Sequence, residues 1–187
     1  STLLSRAEER ALVRLALDVQ THHGHPCDLE FAFADGQLHL LQARPITTLH
    51  HAEIVKIGEE EVRFLTGLDD PVAGVRALWH DSLRLVAVTR GAAGCLWLTP
   101  DGHGAVPGYA VQAVDTTGAG DAFMAGLLAG LLERPARGSG WDPAVLDRAC
   151  RLGNAMGALT ATGRGAIPSI PDRRAVEAFL ASRDAAA

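Results

Sequence analysis

The stretch Asp115-Thr-Thr-Gly-Ala-Gly-Asp-Ala-Phe123 lies between a run of strand character and a long apolar helix. Gly118, Ala119 and Gly120 are small, so their backbone N–H groups can approach an anion at the start of that helix. Asp121 stands at the same terminus, where a carboxylate also caps a helix. Amides beside a carboxylate are what transfer of a phosphoryl group to a hydroxyl needs. The amides stabilise charge on the moving group, and the carboxylate takes the alcohol proton. The stretch is not a Walker A loop, because no Gly-Lys-Ser/Thr follows. It is not a dinucleotide fingerprint either, because Phe123 occupies the third glycine position. On spacing alone, a plain helix cap after a tight glycine turn carries equal weight.

The surroundings alternate strands and helices. Glu53 to Ile57 reads as a short strand, Glu59 to Thr66 as a helix stopped by Gly67, and Pro71 to His80 as a helix opened by proline. Leu83 to Thr89 is an apolar, β-branched strand of the buried kind. Gly94 to Thr99 and Gly104 to Val114 read as strands joined by Pro100-Asp-Gly-His. Helices are expected over about 120–133, 142–161 and 172–182. This order predicts an α/β layered unit. Ahead of it, Leu4, Ala7, Ala11, Leu12, Leu15, Ala16 and Val19 recur at helical spacing. Asp28 to Phe33 and Gln37 to Gln42 alternate around Asp35-Gly36, a hairpin signal. Ala43 to His51 reads as an irregular connection, with a boundary at residues 48–52. Two domains are therefore expected, residues 1–50 and 51–187.

The chain has 187 residues, 48% hydrophobic and 21% charged, within the range of globular proteins. Its net charge of −5 argues against a general nucleic-acid or anionic-membrane binder. Lys56 is its only lysine, a bias toward arginine from which no function is drawn. Cys27, Cys95 and Cys150 form no CxxC pair, so the reading is reduced thiols in a cytoplasmic protein. Apolar runs such as Ala122 to Leu132 are too short for a membrane span. The first ten residues lack the build of a signal peptide. The chain begins at Ser1 without Met and is expected to be a fragment or a processed form.

Residues 115–123 resemble the second signature of the ribokinase-type (PfkB) carbohydrate kinases, and residues 53–182 agree with the C-terminal half of that family. Glu53 to Gly67 is similar to the segment preceding the nucleotide site in those kinases. Val88-Thr-Arg-Gly-Ala-Ala-Gly94 resembles their Val-Thr-x-Gly-x-x-Gly turn, and Val106-Pro-Gly-Tyr109 precedes the signature as in fructokinases. Asn154 to Pro168 resembles the fructokinase C-terminal stretch. The resemblance implies a ribokinase-like layered sheet with flanking helices, here the nucleotide-binding half alone. It implies Asp121 as catalytic base and Gly118, Ala119 and Gly120 as anion hole. It places Thr89, Gly91 and Gly94 along the nucleotide and Asn154 near the adenine. Glu61 corresponds to the acidic end of the family's Asn-x-x-Glu motif, which influences Mg2+, although Gly58 stands at the Asn position. Asp115 and Thr117, with the loop Gly163 to Ser169, resemble the family's monovalent-cation (K+) site, although Asp115 can equally just end its strand.

The front segment Asp28 to Thr47 resembles the end of the ATP-grasp domain of phosphoenolpyruvate synthase and pyruvate, phosphate dikinase. By that resemblance Glu30 and Gln42 are Mg2+–nucleotide ligands and Arg44 a phosphate contact, on an appendage expected to be structural here. His22, His23, His25, His50 and His51 read as solvated loop histidines rather than a metal cluster. Trp79, Trp97 and Trp141 show no common stacking platform and read as packing residues.

The expectation is an ATP-dependent sugar kinase, fructokinase-like, using ATP and Mg2+ with K+ as a further cofactor and fructose as acceptor. The alternative is a non-catalytic nucleotide-binding or interaction fragment. The family's sugar-binding N-terminal half and lid are not among these residues. An uncovered sheet edge is expected to be met by self-association or by a partner chain.

Overall fold

The computed structural model describes residues 5–24, 27–34, 37–45, 52–133 and 140–185. The chain divides into two compact units, Ser1–His51 and Ala52–Ala187.

In the first unit α1 spans Arg6–His23. Its start is a capping box: Ser5 Oγ accepts from the Glu8 amide at 3.3 Å, and Glu8 Oε2 accepts from the Ser5 amide at 2.7 Å. Gly24 closes the helix at φ 74°, donating its N–H to Gln20 O. His22 and His23 thus occupy the last turn of α1 rather than a connecting loop. His25, His50 and His51 lie outside the described residues.

Strands β1 (Cys27–Ala34) and β2 (Gln37–Pro45) form the hairpin. Glu30 pairs with Gln42 but Phe31 with Leu40, so Leu41 is the extra residue of a bulge. The strand continues past Gln42, where an irregular connection was expected, because the pairing runs on through Ala43, Arg44 and Pro45 to Cys27.

The second unit is a mixed sheet in the order β3 (Ile54–Gly58), β4 (Leu85–Thr89), β5 (Cys95–Thr99), β6 (Gly102–Val106). β3 and β4 are parallel, and the other two pairs are antiparallel. Helices α2 (Glu59–Thr66) and α3 (Pro71–Leu78) follow β3. Helices α4 (Ala119–Glu133), α5 (Pro143–Ala161), α6 (Ala166–Ser169) and α7 (Arg173–Asp184) follow β6.

Strand alternation divides the core in two. Leu85, Ala87, Cys95 and Trp97 face α4 and α5, where Phe123, Leu127, Leu146 and Ala149 meet them. Val86, Val88, Leu96 and Leu98 face the other way, onto Val62 of α2 and Val75 of α3. The tryptophans are divided likewise: Trp79 packs with the second group, Trp97 and Trp141 with the first. Cys95 and Cys150 are free, buried thiols. Among the described residues no helix is long and apolar enough to cross a membrane.

One expected strand is cut short. The run Gly104 to Val114 pairs only through Val106, opposite Cys95, the first residue of β5. Beyond that point β5 offers no partner, and Pro107 has no N–H to give. Residues 107–118 instead cross the end of the sheet, and the amides of Val114 and Asp115 donate to Ala161 O at the end of α5. Asp115 therefore ends no strand.

Candidate active site

The register places Gly58 opposite Thr89, Thr89 opposite Cys95 and Cys95 opposite Val106. These residues mark the end of the sheet where the parallel strands β3 and β4 finish, the usual place for a ligand in an open α/β sheet. The expected nucleotide residues collect there. Thr89 ends β4, and its hydroxyl lies 3.5 Å from Ile57 O. Gly91 opens a single 3-10 turn with space around it, at φ 54°. Gly94 closes that turn at φ 93°, and a Cβ there would stand 2.2 Å from Val106 O and 2.4 Å from the Gly108 amide. Only glycine lets the chain from Val106 to Gly108 cross so close.

Asn154 of α5 is buried, and its Nδ2 donates to Val106 O at 3.2 Å and to Pro107 O at 3.0 Å. Both amide hydrogens are thereby engaged in holding the crossing segment. The Arg90 Nε is buried without an acceptor among the described residues.

Helix α4 begins at this end of the unit. Gly118, at φ 79°, has Ala166 of α6 where a Cβ would be, 2.7 Å from its methyl. Its carbonyl accepts from the Ala122 amide at 2.9 Å. The Ala119 amide is turned back to Thr116 O at 3.1 Å, so this expected member of the anion hole is already satisfied. The amides of Gly120 and Asp121 have no acceptor among the described residues, as first-turn amides of a helix do not. The Asp121 side chain is exposed beside them.

The Asp115 carboxylate joins two loops. Its Oδ1 accepts from the Thr117 hydroxyl at 2.7 Å and the Thr117 amide at 3.0 Å; its Oδ2 accepts from the Gly165 amide at 2.9 Å. These three donors, led by the Thr117 hydroxyl, pull its pKa from the ordinary 3.8 to about 2. Asp115, Thr117 and the loop 163–169 are thus brought together.

Glu61 of α2 is exposed, and its Oε2 accepts from the Gly58 amide at 2.5 Å, a cap on the helix start. Its other oxygen makes no hydrogen bond among the described residues. Among the described residues no group of three or more His, Cys, Asp and Glu is placed to hold a metal. Glu30 and Gln42 are cross-strand partners in the first unit, as the hairpin implied, while their side chains lie outside the described residues.

Motif reading passed over Lys56. It is half-buried, two positions along β3 from Ile54 and so on the same face of the sheet, the face packed by α4. Its Nζ lies 3.1 Å from where a Cβ on Gly120 would stand. The available signal was its being the only lysine in the chain.

The chain matches the sequence profile described as pfkB family carbohydrate kinase over residues 2–173, a match that begins well ahead of residue 53. It is similar to fructokinase-1 of Oryza sativa, 49% identical over 123 residues, which are 64% of this chain and 37% of that enzyme. It is also similar to the probable fructokinase-4 of Arabidopsis thaliana, 43% identical over 132 residues, which are 69% of this chain and 39% of that protein. The crystal structure of fructokinase from Vibrio cholerae O395, with fructose, ADP and calcium ion bound, superposes with a TM-score of 0.61 at 42% identity. That match covers 69% of this chain and 41% of the other. The ribokinase of Thermotoga maritima gives a TM-score of 0.61 at 28% identity, over 71% of this chain and 43% of that one. The fold is a ribokinase-like α/β fold, and the chain spans about two-fifths of the length of these proteins.

Proposed function

We propose a function on the premise that this chain belongs to the pfkB family of carbohydrate kinases. It transfers the γ-phosphoryl group of ATP to a sugar hydroxyl, with fructose as acceptor, the class of its fructokinase relatives. Asp121 takes the hydroxyl proton as the new O–P bond forms. The bond from the γ-phosphorus to the β–γ bridging oxygen breaks, and ADP leaves with that electron pair. The amides of Gly118, Gly120 and Asp121 face the charge on the moving group. Thr89, Gly91 and Gly94 line the nucleotide, and Asn154 acts through the 106–108 crossing it holds.

The observation that carries this reading is the pair of unengaged amides at Gly120 and Asp121, beside an exposed carboxylate, at the end of β3 and β4. Mg2+ when bound would neutralise charge on the terminal phosphates, and the free oxygen of Glu61 suits a hard cation that keeps most of its waters. K+ would belong at the 163–169 loop. There the Asp115 oxygens already accept three hydrogen bonds, so Asp115 fixes the loop and acts as a ligand only second.

The test is formation of fructose phosphate by the purified chain with ATP, Mg2+ and K+, with Asp121→Asn beside it. Turnover should fall by a factor of about 10²–10⁴ in the variant, the usual worth of a general base, with ATP still bound. A folded chain that binds ATP without turnover is instead a non-catalytic nucleotide-binding protein. A chain that binds no ATP refutes both.

A further inference from the structure

We infer that Lys56 is a direct electrostatic contact for the phosphoryl group being transferred; this rests on the sugar kinase reading above and adds a residue to it. The Lys56 side chain rises from β3 toward the first turn of α4, where its Nζ comes against Gly120. Among the described residues it makes no hydrogen bond and has no carboxylate oxygen within 4.0 Å, Asp121 included. A positive charge that meets no counter-charge among the described residues is left for an anion to answer. The unengaged amides of Gly120 and Asp121 add to the positive potential at the same spot. Three donors, the Lys56 ammonium and two amides, thus stand at one helix start without an acceptor among the described residues. A multiply charged phosphate offers both acceptors and the opposite charge, whereas a neutral sugar offers acceptors alone.

The residue type agrees with the geometry. Of 17 basic residues, Lys56 alone is lysine. An ammonium is a compact point charge with three donors, whereas a guanidinium is a broad planar fork. Under the first turn of α4, Nζ comes 3.1 Å from where a Cβ on Gly120 would stand, an approach that suits the compact group. Because Lys56 leaves the Asp121 carboxylate unpaired, that carboxylate stays available for the hydroxyl proton. The role of Lys56 is to stabilise charge on the group in flight, and it takes no part in moving the hydroxyl proton.

ADP lacks the group that Lys56 meets, which makes the inference measurable without turnover. As the only lysine, Lys56 is the sole ε-amine open to reductive 13C-methylation, and peptide mass spectrometry separates it from the α-amine. Saturating ATP with Mg2+ should slow its modification about tenfold more than saturating ADP does. Lys56→Met should weaken ATP binding about tenfold with ADP affinity unchanged, and Lys56→Arg should recover part of the loss. The labelling uses the unaltered chain, so it stands even where a variant folds poorly. Undiminished labelling with ATP bound overturns the inference alone, as does equal weakening of ATP and ADP in a folded Lys56→Met. Failure of the unaltered chain to bind either nucleotide overturns the kinase reading, and this inference with it.

Discussion

Asp115 shows how much one side chain does at this site. Two of its bonds go to Thr117, two residues on, and the third to Gly165, fifty residues away. The near pair is an Asx-type turn that a sequence can suggest, because a carboxylate two residues before an amide closes that ring locally. The far bond depends on where α5 ends, which no local pattern encodes. With a folded-state pKa lowered to about 2, the carboxylate contributes stability fully above its ordinary 3.8, and loses it as pH falls through 2. Asp115→Asn keeps the shape but lacks the charge and offers only one acceptor oxygen. Its thermal midpoint should therefore lie below that of the unaltered chain at pH 6, with the gap closing between pH 4 and pH 2. A gap that persists at pH 2 would mean that the charge plays no part.

At the scale of elements, the position of α4 is set by a seam of small residues. A Cβ on Gly126 would stand 2.9 Å from Gly153 Cα, and one on Gly130 would stand 2.7 Å from Ala149 Cα. On α5, a Cβ at Gly153 would meet Phe123 O at 2.9 Å. The two helices therefore pack backbone against backbone along the axis that aims the α4 amides. Gly153→Ala has only backbone and the Phe123 ring to push against, so it must spread the pair. The expected cost is about 1–3 kcal/mol, read as a lower urea midpoint, with weaker ATP binding as the helix start moves. Unchanged ATP affinity in a destabilised variant would separate the seam from the site. Helix ends were legible elsewhere in the sequence: Gly67 stops α2, and Pro71 opens α3. The spacing of small residues in α4 is visible too, but only the partner helix gives it meaning. The strand expected over 104–114 failed for the converse reason. Its alternation is real, yet a ladder is as long as its partner, and β5 begins at Cys95.

At the scale of the molecule, the nucleotide-side residues expected from the carbohydrate kinase resemblance fall in the unit Ala52–Ala187, whereas Glu30, Gln42 and Arg44 lie in the other. What motifs did not supply was the electrostatic complement, Lys56, because its partner Gly120 lies across the sheet and 64 residues along the chain. The same site is open. Asp121, Gly91 and Thr117 are exposed. Exclusion of water is what keeps a phosphoryl group from hydrolysis before the sugar hydroxyl attacks. In this chain water reaches the carboxylate that would activate the acceptor. ADP is therefore expected to form in excess over fructose phosphate, with the excess persisting at saturating fructose. Parallel assays of ADP and of hexose phosphate on one reaction give the ratio directly. A ratio of one would mean that the acceptor side is closed by surfaces of this chain or of a second copy, and raising the protein concentration at fixed ATP would distinguish these, because only closure by a second copy depends on it.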